Sequence, residues 1–133
     1  MKNSIDEAVF ELQLRKFSVG NDIVFLPDFN ASFSTLFQKK VYTSNEIEYC
    51  ESFNQPLLRF ASTWAAKEAV YKAVKQLNHQ PLGFKNIEII RSGIAGIPKV
   101  NLPEDYTDME ISLSISHDGD YACAIALAKL KHD

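Results

Sequence analysis

Three features of this sequence predict an α+β fold. Helical periodicity fills the first half and culminates in the long segment "PLLRFASTWAAKEAVYKAVKQL" (56–77). Strict two-residue alternation takes over in the second half, most clearly in "EISLSIS" (110–116) and "YACAIALA" (121–128). Between those two runs lies a short Asp- and Gly-rich loop, which joins them as an antiparallel hairpin.

The 133 residues, 46% hydrophobic and 23% charged, suit one domain over 1–133 with a real core. No apolar run reaches the roughly 18 residues that a membrane span needs, so no membrane partner is expected. The polar, acidic start "MKNSIDEAVFELQ" argues against a signal peptide. Cys50 and Cys123 match no metal spacing and read as small hydrophobes of a reducing, cytoplasmic protein. A formal charge of −3 argues against nucleic acid as the main partner.

In chain order, "SIDEAVFELQLRK" (4–16) reads as a helical N-terminal extension, with Ser4 as cap and Glu7 three residues on. "FSVGNDIVFL" (17–26) is rich in β-formers and ends at Pro27. "PDFNASFSTLFQKK" reads as a helix with Phe29, Phe33, Leu36 and Phe37 inward. "TSNEIEYCESF" (43–53) opens a helix with Thr43 or Ser44 as cap, and Glu46 lies three residues past Thr43. Pro56 suits the first turn of the long helix. Within that helix Ala61, Ala65, Ala69 and Ala73 make a small-residue stripe. Phe60, Trp64, Glu68 and Lys72 make the neighbouring one. "FKNIEII" (84–90) and "PKVNL" (98–102) read as strands around "SGIAG". A three-residue loop, Asp118–Asp120, is expected to pair Ile115 with Cys123, Leu113 with Ile125 and Ile111 with Leu127, large residue with large.

Three clusters carry candidate chemistry. Asp22 lies in an otherwise apolar strand, where a buried unpaired charge would cost several kcal/mol; the plain alternative is a strand end with Asp22 in water. Lys67, Glu68 and Lys72 border the buried face of the long helix; the alternative is surface ion pairing, worth about 0.2–0.5 kcal/mol per pair. His117 ends a strand in "SISHDGDYA" and reads alone as a polar loop residue. Taken together they are more specific. If Asp22 and Glu68 converge, a cation must offset their repulsion, and Mg²⁺ is held by one or two carboxylates with waters and substrate phosphates. A nearby Lys or His would then hold phosphate oxygens or move a proton.

These residues sit in stretches that resemble the 4′-phosphopantetheinyl transferases of the small holo-acyl-carrier-protein synthase type. The stretches are "VGNDIV" (19–24), "KVYTSNEIEYC" (40–50), "RFASTWAAKEAVYKA" (59–73), "GIPKVNL" (96–102) and "SISHDGDYACAIA" (114–126). The W-x-x-K-E-x-x-x-K pattern, with Gly-x-Asp upstream and Ser-x-Ser-His downstream, carries the likeness; residues 1–16 lie outside it. The resemblance implies the 4′-phosphopantetheinyl transferase fold, a long helix packed on a small antiparallel sheet. It implies transfer of 4′-phosphopantetheine from coenzyme A to a serine of an acyl carrier protein or related carrier domain, releasing 3′,5′-ADP. Asp22 and Glu68 would be the Mg²⁺ ligands, and Glu68 and Lys72 the catalytic residues. Lys67, Lys72, Ser116 and His117 would face coenzyme A. After the first strand the family is often richer in arginine, which suits acidic carriers, where this chain offers Lys39 and Lys40; a homotrimer with sites between subunits is expected. The long helix runs on as "VKQLNHQ" where the family has a Gly-rich turn.

Two other readings compete. A carrier-protein-binding domain of the same fold that has lost catalysis would not need Asp22, Glu68, Lys72 and His117 together. An unrelated α+β binding module would leave the order of the motifs unexplained.

Overall fold

The computed structural model describes residue 4 and residues 16–91 and 96–131. The helix expected over 4–16 lies outside the described residues, its two end positions apart. Strand β1 (Phe17–Phe25) leads into three short helices, α1 (Leu26–Ser32), α2 (Thr35–Val41) and α3 (Ser44–Glu51). The long helix α4 (Pro56–Val74) follows. Strands β2 (Glu88–Ile90), β3 (Lys99–Asn101), β4 (Met109–Asp118) and β5 (Tyr121–Leu130) complete the order. β1, β5 and β4 form an antiparallel sheet in that order, and β2 pairs antiparallel with β3. Helix α4 lies across the three-stranded sheet, as the α+β expectation required.

Small residues set that contact. Ala61, Ala65, Ala69 and Ala73 of α4 are fully buried, and they meet a sheet face on which Ala122, Ala124, Ala126 and Ala128 are buried as well. Gly20 completes the fit: a Cβ there would overlap the Ala69 carbonyl and lie 2.7 Å from the Ala73 nitrogen. Ser18 Oγ donates to the Ala73 carbonyl at 2.5 Å, a further tie between β1 and α4.

The hairpin register differs from the expected one. The turn has two residues, Gly119 and Asp120, between the paired Asp118 and Tyr121, and Gly119 takes the left-handed backbone (φ 55°) that glycine tolerates. Ile115, Leu113 and Ile111 therefore pair with Ala124, Ala126 and Ala128, not with Cys123, Ile125 and Leu127. One residue of slip exchanges the faces of β5. The alanines turn to the helix because α4 needs close approach, and the larger residues turn outward.

The segment 27–40 is also two helices rather than one. The chain breaks at Phe33, and Ser34 Oγ restarts the helix by accepting from Phe37 N at 3.1 Å. The restart resets the helical phase. Phe29, Phe33 and Phe37 converge, with ring centroids of Phe33 and Phe60 at 4.8 Å and of Phe37 and Trp64 at 5.2 Å. Leu36, expected inward, is 61% exposed. At the start of α3 the capping box forms as read: Thr43 Oγ1 accepts from Glu46 N, and Thr43 N donates to Glu46 Oε1.

Candidate active site

The close approach of β1 to α4 places a strand carboxylate beside a helix carboxylate. Ser18, Gly20, Asp22 and Val24 occupy the helix-facing side of β1, by strand alternation and burial. The Asp22 side chain is mostly buried, and the half-buried Glu68 of α4 lies beside it, near enough for the two carboxyls to act on one another. One turn along α4, Lys72 Nζ donates to Asp22 Oδ1 at 3.0 Å and to the Asn21 carbonyl at 3.1 Å. Its side chain remains half exposed, so the ammonium faces solvent as well as the carboxylate.

The electrostatics follow from that crowding. Burial first, then the charge and hydrogen bond of Asp22, push the Glu68 carboxyl up to about 7, against the opposing pull of Lys72. Two carboxyls in contact hold a proton between them, or exchange it for a cation. Their all-oxygen, hard donor set suits Mg²⁺, which keeps waters and takes substrate phosphates in its other positions. Among the described residues no group of three or more His, Cys, Asp or Glu gathers around a common point.

Lys67, expected at the coenzyme, goes elsewhere. It is fully buried, with Nζ 2.8 Å from Glu46 Oε1, 2.9 Å from the Phe84 carbonyl and hydrogen-bonded to the Ile87 carbonyl. Burial lowers its proton affinity and Glu46 opposes that. Glu46 Oε2 also accepts from Ile89 N at 2.8 Å, so the pair fastens α3 and α4 to β2. Adjacent positions on a helix point about 100° apart, which separates Lys67 from Glu68.

His117 and Ser116 also part. Successive residues of β4 face opposite sides of the sheet. His117 lines a cavity of about 170 Å³ with Arg59, Ser62, Arg91 and Ile115, whereas Ser116 pairs with Cys123 and is exposed on the outer face. β5 runs between the strand of His117 and that of Asp22. Arg59 and Ser62 sit in a helical run whose periodicity reports only burial, and Arg91 follows β2 at the start of a loop with no pattern, so no sequence signal marks them. A larger hollow of about 540 Å³ opens between α3 and β2, beside Asn45, Glu48 and Tyr49. It holds none of the sequence-derived candidates, and the carboxylate pair remains the better chemical centre.

The model of the family described as 4′-phosphopantetheinyl transferase superfamily matches residues 18–126. Holo-[acyl-carrier-protein] synthase from Chlamydia felis is 38% identical over 117 residues, covering 83% of this chain and 94% of that protein. The chain is also 34% identical over 136 residues to fatty acid synthase subunit alpha of Candida parapsilosis, of whose length it spans 7%. Among solved structures, the "Chronobacterium ammoniagenes ACPS-CoA complex" superposes with a TM-score of 0.75 at 29% identity, covering 89% of this chain and all of that one. Helicobacter pylori holo-[acyl-carrier-protein] synthase in complex with coenzyme A gives 0.71 at 28% identity, covering 84% of this chain and 99% of that one.

Proposed function

The chain belongs to the 4′-phosphopantetheinyl transferase superfamily, and on that premise we propose that it acts as a holo-acyl-carrier-protein synthase. It moves 4′-phosphopantetheine from coenzyme A to a serine of an apo acyl carrier protein and leaves 3′,5′-ADP. The observation that carries this reading is the juxtaposed Asp22 and Glu68 carboxyls, with Lys72 bonded to Asp22.

Asp22 and Glu68 would hold Mg²⁺, which when bound supplies positive charge against the coenzyme A pyrophosphate. Lys72 swings from Asp22 to a phosphate oxygen and stabilises the charge that develops on departing 3′,5′-ADP. The carrier serine attacks the β-phosphate as the bond to that leaving group breaks. His117 borders the nucleotide from its cavity. Lys39 and Lys40, exposed at the end of α2, offer charge to an acidic carrier.

A homotrimer belongs to the same proposal. Phe17, Val19, Ile23, Phe25, Ile125 and Leu127 are all exposed and lie on the sheet face turned away from α4. An apolar patch of this kind marks a protein interface. A second copy suits it, and Ser116, on that face, would then lie at a subunit boundary. A cytoplasmic location is proposed too, in keeping with two free cysteines. No described helix is long and apolar enough to cross a membrane.

The test is to incubate the protein with coenzyme A, Mg²⁺ and apo carrier proteins and weigh the carriers. A gain equal to one phosphopantetheine group is expected, and its loss on chelation of Mg²⁺. No gain on any carrier would favour the non-catalytic reading.

A further inference from the structure

We infer that Gln76, which no motif singles out, is a positioning residue for the Asp22–Glu68 pair: with Lys72 it closes the open edge of β1, and it holds that edge when Lys72 turns to substrate. The inference rests on the proposed role of Lys72 at a phosphate. β1 is an outer strand of its sheet, bonded to β5 on one side. At its two ends Leu130 N donates to the Lys16 carbonyl at 2.9 Å and Leu26 N to the Asp120 carbonyl at 2.7 Å, so the even-numbered residues bond toward β5. Antiparallel alternation then turns the Val19 and Asn21 carbonyls to the open edge. Such an edge presents unpaired backbone groups to any strand that arrives.

Two side chains cover these carbonyls, one from α4 and one from the turn that follows it. Lys72 Nζ donates to the Asn21 carbonyl at 3.1 Å, and Gln76 Nε2 donates to the Val19 carbonyl at 2.8 Å. Gln76 Nε2 also donates to the Lys72 carbonyl at 3.0 Å, which ties it back to the helix. Four helical residues rise about 6 Å and two strand residues about 6.6 Å, so the two rungs stay in register. Glu68 is the next position of the same stripe, and it stands at Asp22. The rungs differ in what the reaction does to them. Lys72 is bonded to Asp22 Oδ1 as well as to Asn21, and it gives up both bonds when its ammonium goes to a phosphate. Gln76 carries no charge, so a phosphate does not draw it from Val19. It keeps β1 against α4, and Asp22 against Glu68, through the step in which Lys72 is away. Gln76 lies in "VKQLNHQ", where this chain departs from the family's Gly-rich turn, and a glycine has no side chain to make such a bond.

The experiment combines Gln76→Met, which keeps the length and loses the donor, with Lys72→Ala in the full chain. In chelator, each single substitution should barely move the melting temperature, because the other rung still holds the edge. The double variant should lose clearly more than the two losses added, because neither rung is left. Lys72→Ala combined with Gln76→Lys, which returns a donor to Val19, should recover most of that excess. Calorimetric titration of Gln76→Met with Mg²⁺ should show affinity weakened about 2- to 10-fold, the worth of one net hydrogen bond. Turnover at saturating coenzyme A and carrier should fall by a similar factor, with the KM for coenzyme A unchanged. Additive losses of melting temperature would overturn the inference, as would wild-type Mg²⁺ affinity in Gln76→Met. If the wild type binds no Mg²⁺ and transfers no phosphopantetheine, the reading of the carboxylate pair has itself failed, a result distinct from additive losses in the metal-free variants.

Discussion

Lys67 Nζ lies 2.8 Å from Glu46 Oε1, with both side chains closed to solvent. One position further along the same helix, Glu68 turns to Asp22. Two neighbouring charged residues thus serve different ends. Removing one member of a buried pair leaves the other uncompensated, at about 3–5 kcal/mol. Lys67→Met should therefore lower unfolding free energy by about that amount in denaturant titration. Full stability combined with a weakened affinity for coenzyme A would return Lys67 to the coenzyme site.

Glu68 links acidity to stability. Its carboxyl sits at about 7 in the folded protein against an ordinary 4.5, so the folded state holds a proton more tightly than the unfolded one. The stabilising contribution is complete below about pH 4.5 and is lost as pH rises through about 7. In chelator, the melting temperature of the wild type should fall across this window relative to Glu68→Gln. Mg²⁺ should restore more of it at pH 8 than at pH 6. The same variant should fold and lose transfer; parallel pH profiles or near-wild-type turnover would make Glu68 a structural residue.

Lys72 is half exposed, and a surface ion pair contributes about 0–1 kcal/mol. Lys72→Ala should therefore barely move the melting temperature. Turnover at saturating coenzyme A and carrier should fall on the order of 100-fold, since the charge acts on the transition state. Lys72→Arg keeps the charge in a different geometry and should rescue only in part. Turnover within a few-fold of wild type in Lys72→Ala would leave it a surface residue.

Gly20 sits where no side chain fits. Gly20→Ala must push β1 away from the Ala69 carbonyl and the Ala73 nitrogen, at about 1–3 kcal/mol of overpacking. Because Asp22 rides on the same strand, Mg²⁺ affinity should weaken along with stability. Calorimetric Mg²⁺ binding in the folded variant checks this; unchanged affinity would uncouple the strand position from the site.

The outer sheet face tests the assembly. Ile125, 57% exposed at the centre of β5, should tolerate Arg as far as the isolated fold is concerned. In solution, Ile125→Arg should convert a trimer to monomers by light scattering. A wild-type monomer at micromolar concentration would remove the trimer from the proposal.

Local rules account for what was legible in the sequence. Alternation places β1, β4 and β5, whereas of the strand read over 84–90 only Glu88–Ile90 is extended, Phe84–Asn86 forming a 3-10 turn; capping-box spacing places the start of α3 at Thr43. The i, i+4 stripes place Ala61, Ala65, Ala69 and Ala73 inside and Lys72 one turn beyond Glu68. The motif order identified the superfamily, because it ties Asp22 to Glu68 across many residues. Tertiary structure decided what periodicity is blind to. The hairpin slipped by one residue because an alanine-lined helix draws alanines, not large side chains, to its side of the sheet. Leu36 turned outward because a serine cap restarted the helix at a new phase. Lys67 left the site because the Glu46 carboxylate that caps α3 through Oε1 holds the buried ammonium on that same oxygen and ties Ile89 N through Oε2. Arg91 and Ser62 came to one cavity from segments far apart in the chain, and only the packed fold puts them side by side.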